Sequence, residues 1–150
     1  MNDSSDNTAN DLNGYYFEDL EEGMVATYGK TITDADIVLY AGISGDTNPV
    51  HLNHEFAKDT PFKGCIAHGM LTAAFLSTVI GTKLPGPGCI YVSQSLKFKA
   101  PVRAGDTVTA RVEVVDLNPD KKFVQLKTEC LVSGKVVLGG EATVMVPGRS

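Results

Sequence analysis

From Ile90 onward the chain alternates apolar and polar residues with a period of two. Ile90, Val92, Leu96 and Phe98 are interleaved with Tyr91, Ser93, Ser95, Lys97 and Lys99. Val108, Ala110, Val112 and Val114 alternate with Thr107, Thr109, Arg111 and Glu113, and Val124, Leu126, Cys130 and Val132 with Gln125, Lys127 and Glu129. Such a period turns successive side chains to opposite faces, so each run predicts a strand with one buried face. Pro, Gly or Asn within 101–105 and 118–122 mark reversals, and Ser133-Gly134 opens a fourth strand over 136–146.

The first half reads differently. Met24 to Lys30 predicts a strand, and Thr33-Asp34-Ala35-Asp36 is a capping box that starts a helix. Ile37, Tyr40 and Ala41 share one face of that helix, Val38 and Leu39 widen the stripe, and Gly42 and Gly45 flank its end. A loop of about twenty residues follows, long enough to suggest a functional segment. Pro49 and Pro61 punctuate it, and one short helix is expected near Glu55 to Lys58. A second helix is predicted from Gly69 to Lys83, where Met70, Leu71, Ala73, Ala74, Phe75, Leu76, Val79 and Ile80 occupy nearly every face. A helix apolar all round is buried, so something must wrap it. The order of one strand, two helices and four strands predicts an α+β fold: an antiparallel meander curled round one long buried helix.

Composition narrows the class. The 150 residues suffice for one sizeable core, and 43% hydrophobic with 21% charged residues is an ordinary globular balance. A formal net charge of -5 argues against nucleic acid as a partner. Cys65, Cys89 and Cys130 lack paired spacing, so the chain reads as reduced and cytoplasmic, with the thiols as inert packing groups. Residues 1–13, rich in Asn, Asp and Ser, are expected to be a flexible tail on a single domain spanning 14–150. No basic start with an apolar run suggests a targeting signal, and Met70 to Ile80 is shorter than the about 20 apolar residues a membrane span requires.

The candidate chemistry lies in the long loop. Asp46 and His51 stand five apart around Asn48-Pro49, just upstream of the apolar helix that begins at Gly69. Pro49 fixes one φ and biases Asn48 toward extended backbone, so both side chains can point into one cleft. The helix offers a dry wall and, at its first turn, unpaired amides at Gly69 and Met70. A carboxylate, an imidazole and free N–H donors together suit proton transfer beside a carbonyl that gathers negative charge. Each feature alone has a plainer reading: a turn carboxylate, a surface histidine, a packing glycine.

Asp46-Thr47-Asn48-Pro49-Val50-His51, followed by His68-Gly69-Met70, resembles the signature of the MaoC-like (R)-specific enoyl-CoA hydratases. Gln94-Ser95-Leu96-Lys97-Phe98-Lys99-Ala100-Pro101-Val102 and Gly105-Asp106 match the downstream pattern, and the likeness runs from Phe17 to Pro147. The resemblance implies a hot-dog fold, a homodimer with each active site near the subunit interface, and reversible syn addition of water to a trans-2-enoyl-CoA. It also implies that Asp46 and His51 activate the water and exchange a proton with C2, in an order left open. By the same likeness Gly69 donates its amide to the thioester carbonyl and Asn48 supports the loop. Ser77 and Ile80 are candidates for the acyl pocket, with core packing as the alternative. Lys63, Lys97, Lys99 and Arg103 are candidates for a basic patch facing CoA phosphates. No metal or redox cofactor is required, and the acyl carrier is CoA or acyl carrier protein.

Two rivals stand beside this reading. His51-x-x-His54 with Cys65-x-x-His68 superficially resembles a zinc-ligand set, but it holds a single thiolate. The same fold could instead serve as an acyl-CoA thioesterase or a non-catalytic acyl-thioester binding module.

Overall fold

Six strands form one antiparallel sheet: β1 (Val25–Thr31), β2 (Ile90–Gln94), β3 (Lys97–Phe98), β4 (Thr107–Asn118), β5 (Phe123–Val132) and β6 (Lys135–Met145). The computed structural model describes residues 12–150; of the expected tail, 1–11 lie outside the described residues. Spatial order is β1-β4-β5-β6-β2, with β3 also pairing β6. The alternation behaves as the period-two pattern requires. Val108, Ala110, Val112 and Val114 of β4 and Val124, Leu126 and Cys130 of β5 are fully buried, while their neighbours turn outward. Thr128 is the polar exception among the inward positions, and its hydroxyl accepts a hydrogen bond from Gln94 Nε2 at 2.9 Å.

The last strands are not the simple meander expected. β4, β5 and β6 follow one another, but the run from Ile90 to Phe98 divides into two strands, both on the far side of β6. Ser95 interrupts the ladder. Its N–H donates to Glu141 O at 2.8 Å, and its Oγ accepts from Glu141 N at 3.0 Å, so a side chain replaces a backbone acceptor. Ile90, Val92 and Phe98 therefore lie on an edge and are each more than half exposed, rather than buried.

The capping box forms as read. Helix α1 (Asp34–Ser44) begins with Thr33 Oγ1 accepting from Asp36 N and Asp36 Oδ2 accepting from Thr33 N, and Gly45 closes it. The Thr33 amide and then Lys30 hold the Asp36 carboxyl below its ordinary range. That support is complete above the ordinary carboxylate range and is lost as pH falls through the lowered value. Ile37 and Ala41 are buried, but Val38 and Leu39 are more than 60% exposed, so they do not widen the core stripe. Steps of 100° carry them round to the outer side of a surface helix.

Two short helices, α2 (Pro49–Leu52) and α3 (His54–Ala57), occupy the long loop where one was expected. Helix α4 (Gly69–Thr82) crosses the buried face and packs against β1, β4 and β5. Leu71, Phe75, Leu76, Val79 and Ile80 face the core. The wrapping is incomplete, because Met70, Ala74 and Ser77 form an exposed stripe one turn apart. An antiparallel sheet curled round one long helix is the hot-dog arrangement.

All three cysteines are free thiols. Burial, with the Glu129 charge adding to it, pushes the Cys130 thiol up to about 12, in keeping with a packing role. Among the described residues no helix is long and apolar enough to cross a membrane.

Candidate active site

The loop after α1 is shaped by its own short polar side chains. Asp46 N donates to Ser44 Oγ at 3.1 Å, and Asn48 N donates to Asp46 Oδ1 at 3.3 Å. Asn48 Oδ1 then accepts from Val50 N at 3.1 Å and caps α2, with Pro49 at its first position. Asn followed by Pro is a strong helix start, whereas in the sequence Pro49 reads as a loop stiffener and not as the first residue of a helix. Helix α2 carries His51, and its register is set from outside: Ile66 N donates to Val50 O at 3.2 Å.

His51 is half-buried, and its Nδ1 lies 2.8 Å from Ile66 O. A carbonyl only accepts, so Nδ1 carries the hydrogen and Nε2 presents a lone pair. One ligating atom from each of Asp46, His51 and His68 lies within 4.8 Å of the others. Asp46 and His51 thus converge, as the sequence suggested. Asp46 is nonetheless exposed, so this chain alone does not enclose the carboxylate in the dry pocket expected. His68 precedes α4 and its ring stacks on His51, with centroids 3.8 Å apart and planes at 27°.

These groups border a cavity of about 470 Å³ that is otherwise mostly apolar, with Phe62, Ile66, Phe98 and Val102 among its walls. Gly69 and Met70 are also on its surface. The first backbone bonds of α4 run from Leu71 and Thr72 to His68 O, so the Gly69 and Met70 amides precede the helix ladder. Phe98 packs directly over Gly69, where a Cβ would lie 2.6 Å from Cε1 and 2.7 Å from Cδ1 of the ring. The arrangement sets a carboxylate, an imidazole and amide N–H donors beside an apolar chamber, the groups that proton transfer next to a carbonyl calls for.

The remaining candidates are spread more widely. Ser77 lies on the open stripe of α4 and Ile80 in the core, and neither borders this cavity. Lys99 does border it; Lys97 and Lys99 also meet Lys127 around a neighbouring depression. Lys127 was not singled out in the sequence, since only strand pairing brings it there. Arg103 is half-buried and donates to the carbonyls of Phe62 and Cys65, so its guanidinium braces the loop rather than facing solvent. Lys63 is exposed on that same loop. As for the zinc pattern, neither His54 nor Cys65 joins the Asp46–His51–His68 cluster.

The MaoC-like domain model matches residues 17–136, which is most of the chain. The chain belongs to the MaoC-like family. Among MaoC-like proteins it is 63% identical over 142 residues to an (R)-specific enoyl-CoA hydratase of Rhodospirillum rubrum, covering 95% of this chain and 99% of that one. A 3-hydroxybutyryl-CoA dehydratase of Methylorubrum extorquens is 50% identical over 139 residues, covering 93% and 88%. In structure, the unliganded R-hydratase PhaJ1 from Pseudomonas aeruginosa superposes with a TM-score of 0.85 at 43% identity, covering 91% of this chain and 88% of that one.

Proposed function

We propose that this MaoC-like chain is an (R)-specific enoyl-CoA hydratase, adding water reversibly and syn to a trans-2-enoyl-CoA to give an (R)-3-hydroxyacyl-CoA. The observation that carries the reading is the convergence of Asp46 and His51 on a cavity whose rim also bears the free amides of Gly69 and Met70. The names of its relatives point the same way.

The chemistry follows from the groups. A water molecule held between Asp46 and His51 loses a proton to one of them as its oxygen bonds to C3. The pair hands that proton on to C2 as the enolate collapses, so one O–H bond and the C2=C3 π bond break while C–O and C–H bonds form, and both side chains end as they began. Both side chains stand on one side of the cavity, which favours addition to one face. The electron pair passes through the thioester oxygen, where the Gly69 amide stabilises the enolate-like charge. No electrons leave the system, so no redox cofactor takes part. Asn48 supports the loop by capping α2.

We take Lys97 and Lys99 as the contacts for the phosphates of CoA, or for an acidic acyl carrier protein, on a chain whose overall charge is negative; Lys127 stands beside them, with Glu129 and Glu141 in the same depression. The unpaired edge at β2, with Ile90 and Val92 exposed, supports a homodimer. A second copy over the open stripe of α4 would also enclose Ser77 and extend the acyl channel. We place the enzyme in the cytoplasm, with neither nucleic acid nor membrane as partner.

Two measurements test this. With crotonyl-CoA, absorbance of the conjugated thioester should fall and the product should be the (R)-alcohol. Release of free thiol would instead indicate a thioesterase, binding without turnover a carrier module, and an (S)-product a different facial geometry. Gly69→Ala should lower kcat/KM by about 10²-fold, because the methyl displaces the Phe98 ring and disturbs the amide. The ring is half exposed and can swing aside, so the melting temperature should move by only a few degrees. Unchanged kinetics in that variant would remove Gly69 from the mechanism.

A further inference from the structure

The motif that opens α4 contains a histidine to which the hydration chemistry gives no task. His68 is 2% exposed and stands at the N-cap of α4, yet its side chain makes no capping hydrogen bond. It turns toward the preceding loop, where Nε2 lies 2.9 Å from the Asp46 carbonyl oxygen. Nε2 therefore carries the hydrogen and donates it. Nδ1 is left as the lone-pair side of the ring, buried without a protein partner. The ring stacks on His51 at 3.8 Å, and Tyr40 of α1 leans on it at 4.8 Å with planes at 59°.

We propose that His68 is a positioning residue for the Asp46–His51 pair, latching the loop and the His51 ring to the N-terminus of α4. Its bond reaches across the fold, whereas the other hydrogen bonds of Asp46, to Ser44 and Asn48, stay inside the loop. Because α4 also carries the Gly69 amide, the latch sets the spacing between the acid–base pair and the site of the developing oxyanion. Misplacing such groups by about 1 Å costs on the order of 10²-fold in rate. The same bond orients the Asp46 backbone, and the stacked ring limits how far the His51 imidazole can tilt. The proposal rests on the hydration reading for its kinetic readout only.

Two variants separate the donor from the ring. His68→Phe keeps an aromatic face for His51 and removes the donor; His68→Gln keeps an N–H near the position of Nε2 and removes the ring. His68→Phe should lower kcat for crotonyl-CoA hydration by about 10²-fold with KM changed less than about twofold, and His68→Gln should recover to within about tenfold of the native enzyme. Native kcat in His68→Phe, or a Gln variant no better than Phe, would overturn the latch. Nitrogen-15 NMR of the native protein gives a readout independent of turnover. It should show His68 as the Nε2–H tautomer, and His68→Phe should shift and broaden the amide signals of 45–48. An Nδ1–H tautomer overturns the proposal even where both variants fail to fold. A native protein with the Nε2–H tautomer and perturbable loop signals, but no hydration of crotonyl-CoA, refutes the proposed activity and leaves the latch standing.

Discussion

Asp46→Asn and His51→Ala should each reduce hydration of crotonyl-CoA by roughly 10²–10⁴-fold, with the fold retained. Asn keeps the oxygen that accepts from Asn48 N, and Asp46 is exposed, so the loop geometry survives while the charge disappears. His51→Ala also removes the bond from Nδ1 to Ile66 O, which costs about 1 kcal/mol of stability. His51→Asn separates the two effects, because its amide nitrogen can still donate to Ile66 O but offers no base at the Nε2 position. It should be as inactive as the Ala variant and more stable. Steady-state kinetics with a urea titration of each variant checks both parts. Turnover near native in either position would refute the assignment.

Gly140→Ala is expected to damage the fold more than any exchange at the site. A methyl group there would overlap the carbonyl group of Ser95, which is backbone and cannot rotate away. Ser95 is held over Gly140 by its own N–H on Glu141 O and by its Oγ accepting from Glu141 N. To admit the methyl, both bonds must lengthen and the junction of β2 and β3 must lift from β6. The expected loss is about 3 kcal/mol, since overpacking against fixed backbone has no cheap relaxation. Activity should fall with it, because β3 carries Phe98, a wall of the cavity. Urea denaturation measures the loss. A change below about 0.5 kcal/mol would mean that the two segments are not clamped as described.

Much of the fold was legible because its signals are local. The Thr33–Asp36 capping box and the alternation of Val108, Ala110, Val112 and Val114 concern neighbours a few residues apart, and the structure follows them closely. The same holds for α4, whose bounds differ from expectation by one residue. Where position in the sheet decides, the pattern misleads. Ile90, Val92 and Phe98 alternate like core residues, yet they sit on an edge that this chain leaves uncovered. Val38 and Leu39 are apolar, yet each points outward from α1 and adds nothing to the core of this chain.

The site shows the same division. Asp46, His51 and Gly69 were legible as a constellation because their residue types suit one reaction at one loop. His68 was visible as part of a motif, but its stacking on His51 and its bond to Asp46 O depend on the return of the chain from 46 to 68. Arg103 shows the opposite case. A cation chosen as a phosphate contact proves to donate to the carbonyls of Phe62 and Cys65, because the 62–65 segment folds over it. Pro49 had a local meaning that was missed: after Asn48 it starts α2 and so aims His51.

In the proposed reaction Asp46 and His51 act on one water molecule as a unit. The most direct test is kcat for crotonyl-CoA hydration in Asp46→Asn, in His51→Ala and in the double variant. Groups that share a single step show strongly non-additive losses, so the double variant should be about as slow as the slower single one. Losses that multiply independently would contradict the account.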